Sequence, residues 1–268
     1  MINIAGAFSH FNELSIIILK YKLKDVCVYD SLGDHQWNGG RVNYLYSAAF
    51  DPQKVQSWNR RGVGVFLTLS NRYIDYSLEP VSELTVLNQN PLNGIISGND
   101  EFTQYIKSHY SNLKVMRSVT SFDTLDIPDM KPLEHLYDLI CPRFEWVFNP
   151  NFYNNIDVTK YEIMLNDTCK YDCKLWAKHF DAINIANRDI VTDKAVLHKT
   201  QECWLSSVNP NTGWKADIEK YGDCLGMDLN ATQVQKAREI GYRHWKISGR
   251  ELAAEYVQEI QHNLGVLL

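Results

Sequence analysis

Cys169 and Cys173 stand in the run Asn166-Asp167-Thr168-Cys169-Lys170-Tyr171-Asp172-Cys173, just past an apolar stretch. Two thiols at that spacing, on a loop or a first helical turn, can face one point. Soft thiolates suit an iron–sulfur cluster or zinc. The motif Cys-x3-Cys-x2-Cys, which holds a cluster coupled to S-adenosylmethionine, is only half present, because Trp176 occupies its third place. Cys203 and Cys224 lie downstream and could complete a four-thiolate site, with Cys141 or His179 as substitutes. The bland reading is that two of six cysteines fall together by chance, or serve as small apolar groups at a helix start.

Other residues could hold a substrate. Asn38-Gly39-Gly40-Arg41 reads as a backbone nest for an anion with Arg41 as a bidentate clamp, or equally as a tight turn with a solvated arginine. Lys246 and Arg250 flank Gly249 and could bind an anionic group; their alternative is surface ion pairs of little energetic value. Trp204, Trp214 and Trp245 could stack on a base or ring, or simply fill the core. Glu145, near Cys141 and Arg143, could be a buried base or a solvated acid. No Ser-His-Asp elbow, His-Glu-x-x-His motif or P-loop appears, and Gly62-Val63-Gly64 lacks the third glycine of a dinucleotide fingerprint.

The elements that must position these groups follow from the apolar pattern. Short runs without alternation predict strands buried on both faces at Ile2–Ala5, Val26–Asp30, Gly64–Leu69, Gly94–Ser97, Lys114–Ser118, Leu136–Cys141, Tyr161–Asn166 and His244–Ser248. Helical spacing lies between them: Phe11, Leu14, Ile17, Ile18 and Tyr21 share one face, and further helices are expected at 102–107, 176–185, 232–240 and 252–264. Eight strands alternating with helices predict a (β/α)8 TIM-like barrel over residues 1–268, with an open doubly wound sheet as runner-up. An insertion over 187–230, before the last strand, carries Cys203 and Cys224.

In such a barrel the working groups sit at the C-terminal ends of the strands. That rule puts Asn38, Asn71, Asn99, Arg143 and Asn166 forward as substrate-binding residues, and Lys246, Arg250 and Arg41 as the groups that position a substrate's anionic end. It delivers Cys169 and Cys173 to the same mouth.

A chain of 268 residues is long enough for one such barrel, and its 45% hydrophobic content supplies one sizeable core. A net charge of −5 argues against broad, non-specific nucleic-acid binding. No apolar run approaches a membrane span, and no secretory signal is read at the N-terminus; six cysteines then read as reduced thiols or ligands, and the expected compartment is cytoplasmic.

Lys246-Ile247-Ser248-Gly249-Arg250, preceded by Gly241 and followed by a helix with Tyr256-Val257, resembles the last barrel strand of the collagenase-like peptidases of family U-thirty-two, which reads Lys-Ile-Glu-Gly-Arg. Tyr161-Glu162-Ile163-Met164-Leu165, leading into a cysteine-bearing loop, is similar to that family's penultimate strand. The resemblance covers the last hundred or so residues. It implies a four-iron, four-sulfur (4Fe-4S) cluster held by four cysteines and a role in hydroxylating RNA bases or a quinone precursor, with no established peptidase site despite the name. Cys169 and Cys173 match the cluster loop; Lys246, Gly249 and Arg250 match the terminal motif. Ser248 departs from the family's glutamate, and Cys203 and Cys224 do not map onto its spacing.

The expected protein is therefore an iron–sulfur barrel with ligands Cys169, Cys173, Cys203 and Cys224. It would modify a nucleobase or small aromatic ring, with RNA or a protein as a further partner. The alternatives are a non-catalytic barrel binder with a structural zinc or no metal, and a metal-dependent hydrolase that uses Asp30 or Glu145.

Overall fold

The computed structural model describes residues 1–32, 36–40, 48–73, 80–167, 176–189, 227–249 and 253–268. Arg41, Cys169, Cys173, Cys203, Trp204, Trp214, Cys224 and Arg250 lie outside the described residues, as does most of the expected 187–230 insertion.

The chain begins β1 (Ile2–Ala5), α1 (Phe11–Lys20), β2 (Val26–Asp30), α2 (Pro52–Arg60), β3 (Gly64–Leu69), α3 (Val81–Leu87), β4 (Gly94–Ser97) and α4 (Asp100–His109). It continues β5 (Lys114–Arg117), α5 (Lys131–Leu136), β6 (Leu139–Ile140), α6 (Phe144–Val147), α7 (Pro150–Tyr153), β7 (Glu162–Met164) and β8 (Asn166–Asp167). Then come α8 (Trp176–Arg188), β9 (Met227–Asp228), α9 (Ala231–Ile240), β10 (His244–Ile247) and α10 (Ala253–Leu267).

Eight strands form one parallel sheet in the order β6-β5-β4-β3-β2-β1-β10-β7. A parallel bridge between Ile140 and Tyr161 links the two ends, so the sheet forms a nearly closed α/β barrel and is not an open doubly wound sheet. Alternate side chains fill the inside: Ala5, Cys27, Tyr29, Phe66, Ile96, Met116 and Leu139 make one buried cluster. The others, among them Ile4, Val28, Val65, Leu67, Ile95, Val115, Ile163 and Ile247, face the helices in the main core. Both faces of most strands are thus largely apolar, which is why little alternation shows in the sequence.

The helix ends are set locally. Asp51 accepts from Gln53 N and Lys54 N at the start of α2, with Pro52 inside the first turn. Asn230 and Gln233 make a reciprocal capping box on α9, which stops at Gly241 with φ 119°. Among the described residues no helix is long and apolar enough to cross a membrane.

Two strands differ from the sequence expectation. Leu136 ends a helix, and the sixth strand shrinks to Leu139–Ile140, because Pro132 starts a helical turn and Asp138 accepts from Val115 N at 2.7 Å. The seventh strand breaks at Leu165. Its N–H stays with Lys246 O at 2.8 Å while its carbonyl accepts from Leu229 N at 2.8 Å. Asn166–Asp167 then leaves the barrel and pairs antiparallel with Met227–Asp228.

The barrel mouth as candidate functional site

The strands' C-terminal ends are covered by α8. Its Trp176, Phe180 and Ile183 lie on one helical face and pack on Val119, Cys141 and Met164, which stand above β5, β6 and β7. Toward β2 and β3 the same helix is held by amides. Asn71 Nδ2 donates to Asn184 O at 2.9 Å and to Gln36 O at 2.6 Å. Asn184 Oδ1 accepts from Arg72 N at 2.7 Å, and Asn187 Nδ2 donates to Asn38 O at 2.6 Å. Arg72 reaches Asp181 at 2.6 Å and also pairs with Asp123.

This arrangement gives several expected substrate-binding residues structural work. Asn38 and Asn71 are buried and tie the loops after β2 and β3 to α8. Gly39 N donates to Ser70 Oγ and Gly40 N to Asn38 Oδ1, so those N–H groups are turned inward. Asn99 caps α4 by accepting from Phe102 N at 2.9 Å. Asn166 is locked to the last strand: Ser248 N donates to its Oδ1 at 2.8 Å, and its Nδ2 donates to Ser248 O at 2.8 Å and to Glu259. Ser248 thus belongs to a staple between β8 and the end of β10.

Arg143 does lie at the mouth. It is 1% exposed, and its guanidinium forms a fork on Glu145, Nε–Oε2 3.2 Å and Nη2–Oε1 3.1 Å, while lying 4.4 Å from the Trp176 ring centre. Glu145 is therefore largely covered and paired rather than solvated. Asp30 accepts from Phe8 N, Ser9 N and Ser9 Oγ and fixes the β1–α1 loop, which leaves it poorly suited to hydrolysis. Trp245 is core. The Trp176 Nε1–H is buried with no hydrogen-bond acceptor. His179 is buried on α8 and stacks on Phe180.

Lys246 points into the barrel. Its Nζ lies 3.9 Å from Glu162 Oε2 and 4.6 Å from the centre of the Tyr29 ring. Glu162 is 1% exposed, and its Oε1 has no partner. Burial pushes the Glu162 carboxyl up to about 7, against the downward pull of Lys246, Asn3 and the N-terminal ammonium. Burial likewise pushes the Cys141 and Cys27 thiols up to about 12, so both stay protonated and neither offers a ready thiolate. Sequence reasoning missed Glu162. The available signal was one acid inside an apolar strand whose expected neighbour carries one inward lysine.

Beside the mouth, a cavity of about 320 Å³ lies between the loop after β5 and α5, walled by Arg117, Phe122, Pro132 and Trp146. Arg117 is already engaged with Asp100 and the Tyr137 hydroxyl. Among the described residues no group of three or more His, Cys, Asp or Glu is arranged to hold a metal.

No protein-family model matches the sequence, and no curated protein does. The fold is similar to a solved structure described as "The Structure of the U32 Peptidase Mk0906", with a TM-score of 0.53, 12% identity, and coverage of 92% of this chain and 91% of that one. At that identity the likeness establishes a distant U32-like barrel fold.

Proposed function

We propose that the protein is a barrel enzyme that holds an iron–sulfur cluster near its mouth through Cys169, Cys173, Cys203 and Cys224. The observation that carries this reading is that Asp167 and Trp176, which bracket Cys169 and Cys173 in sequence, both lie at the C-terminal ends of the barrel strands. The chemistry of the surroundings fits a thiolate-bound, anionic group. The buried Trp176 Nε1–H lacks an acceptor, and cluster sulfurs accept such N–H bonds. Arg143 and Lys246 add positive charge nearby, each moderated by a glutamate.

When bound, the cluster would supply one-electron transfer chemistry for the oxidative modification, most simply hydroxylation, of a nucleobase or small aromatic ring. Lys246, with Arg41 and Arg250, would meet the substrate's anionic end. Anaerobic purification with iron, sulfide and zinc analysis tests this. About four irons and four sulfides per chain support it; a colourless protein without iron refutes it.

A second reading has its own observation. Helix α8 is held across the mouth by apolar packing and by Asn71, Asn184 and Asn187, a tight cover for an enzyme that must admit substrate. A non-catalytic barrel binder, with stoichiometric zinc or no metal, accounts for that cover. Zinc at one per chain with no iron, or a metal-free protein, is the outcome that selects it.

A further inference from the structure

Arg117, 8% exposed, lines the cavity between the loop after β5 and α5. Its guanidinium presents N–H donors in a fixed fork. Nη1 is engaged with Asp100 and with the Tyr137 hydroxyl at 3.2 Å. Nε is buried and has no acceptor. The Nε–H and Nη2–H bonds of a guanidinium share one edge, and with that edge Arg143 grips Glu145 at 3.2 and 3.1 Å. The same edge of Arg117 grips nothing among the described residues. A buried donor without an acceptor costs free energy, and an arginine cannot shed its proton to escape that cost.

The guanidinium is also fixed in place. Its central carbon lies 4.9 Å from the Phe122 ring centre and 5.2 Å from that of Tyr137. Phe122 stands edge-on to Trp146 with ring centres 4.9 Å apart, and the Trp146 Nε1–H donates to Leu125 O at 2.7 Å. With its N–H already bonded, Trp146 offers the cavity an apolar ring, as Phe122 does. Pro128, Pro132 and Leu133 extend that apolar lining. At about 320 Å³ the cavity is at the small end of ligand pockets and suits one ring system rather than a chain.

Charge decides which kind of ring. Arg117 and Arg72 already hold Asp100, Asp123 and Asp181, and both Asp123 and Asp129 stand on the cavity wall. A carboxylate or phosphate brought to Arg117 would be set among those acids. A neutral ring with two adjacent acceptors satisfies the open edge and adds no charge.

We propose that this cavity binds a neutral oxopurine, the guanine or hypoxanthine ring. Its O6 and N7 accept from the Nε–H/Nη2–H edge of Arg117, and its faces lie against the apolar lining. Adenine keeps the N7 acceptor but turns an amino group toward the arginine, donor against donor. The site lies beside the barrel mouth, and the proposal does not depend on a cluster.

Inosine, a neutral hypoxanthine nucleoside, is the probe. It is titrated by calorimetry into the purified protein at neutral pH, with adenosine and benzoate as comparisons. Inosine should bind with one site per chain, and adenosine about tenfold or more weakly, the discrimination that a two-bond arginine contact supplies. Benzoate should not displace inosine. Arg117→Lys keeps the charge but not the fork and should lower inosine to the level of adenosine. Thr124 is exposed on the cavity wall, so Thr124→Trp should fill the space and abolish inosine binding with an unchanged urea midpoint.

No binding at millimolar inosine, equal affinity for inosine and adenosine, displacement of inosine by benzoate, or full inosine binding in Thr124→Trp overturns the proposal. The inosine–adenosine comparison is made on the parent protein, so a misfolded Arg117→Lys cannot imitate either result. Iron content plays no part in these readouts. An iron-free protein that prefers inosine removes the cluster and keeps this inference; a cluster-bearing protein indifferent to inosine does the reverse.

Discussion

Asn71 and Asn184, 113 residues apart in the chain, meet across the barrel mouth: the Asn71 amide donates to the Asn184 carbonyl at 2.9 Å. The Asn184 side chain returns the contact by accepting from Arg72 N at 2.7 Å, and both asparagines are 0% exposed. Replacing Asn184 by alanine leaves the Arg72 N–H without its acceptor. The expected cost is about 1–3 kcal/mol, the penalty of an unsatisfied buried polar group. Urea unfolding measures it, and amide exchange over residues 176–188 should quicken more than exchange in β2 and β3. Uniform loss of protection would mean that α8 is not a separately held cover.

Gly39 sits where the loop after β2 crosses the loop after β3. A Cβ there would meet the Ser70 carbonyl oxygen at 2.3 Å and Asn184 Oδ1 at 2.8 Å, and the Ser70 group is backbone that cannot swing aside. Gly40, next along, would meet only Thr120 Cγ2 at 3.7 Å, an ordinary contact. Gly39→Ala should therefore destabilise by about 1–3 kcal/mol while Gly40→Ala stays within about 0.5 kcal/mol of the parent. Thermal unfolding of the two variants side by side decides it. Equal effects would contradict the close crossing.

The barrel strands were legible because each is a short apolar run, and a strand covered on both faces has no other way to look. The breaks were not. Leu136–Cys141 reads as one apolar run, yet Pro132 and Asp138 give its first half to a helix and a turn. At the mouth, chain order correctly brought polar residues to the strand ends, but it could not say which of them face a ligand. Asn38, Asn71 and Asn166 find partners in α8 and β10 that are distant in sequence, and no local spacing announces such pairings. Glu162 was hidden differently. Read alone it is a polar interruption in Tyr161–Leu165; only the β7–β10 pairing turns it into half of a buried ion pair.

The cysteines should divide into two sets. Cys27 is inside the barrel wall with its thiol 3.4 Å from Met1 Sδ, and Cys141 is buried under α8. With both thiols pushed up to about 12 by burial, neither should react with iodoacetamide at pH 8 in the folded protein, and both should react in denaturant. If the cluster reading holds, Cys169→Ala and Cys173→Ala abolish iron binding while Cys27→Ala leaves it intact. An essential Cys27 beside a dispensable Cys169 would place the metal elsewhere.

Glu162 also sets a pH dependence of stability whose sign runs against the usual carboxylate. Its folded value is raised from 4.5 to about 7, chiefly by desolvation. Between those two values the folded state binds more protons than the unfolded state, so stability is highest at the acid end and falls as pH rises from about 4.5 to about 7. Above that window both states are ionised and the contribution is flat. The folded value already includes the Coulomb pull of Lys246, and the loss is expected to be on the order of 3 kcal/mol across the window. Glu162→Gln carries no charge in either state and should remove this slope, making the variant more stable than the parent at pH 8 and nearly equal to it at pH 5. Lys246→Met should steepen the slope, because it leaves the carboxylate without its counter-charge. Urea midpoints for the three proteins at pH 5, 6, 7 and 8 test all of this together. A parent whose Glu162-dependent stability rises with pH would mean that the pair is ionised and well made throughout.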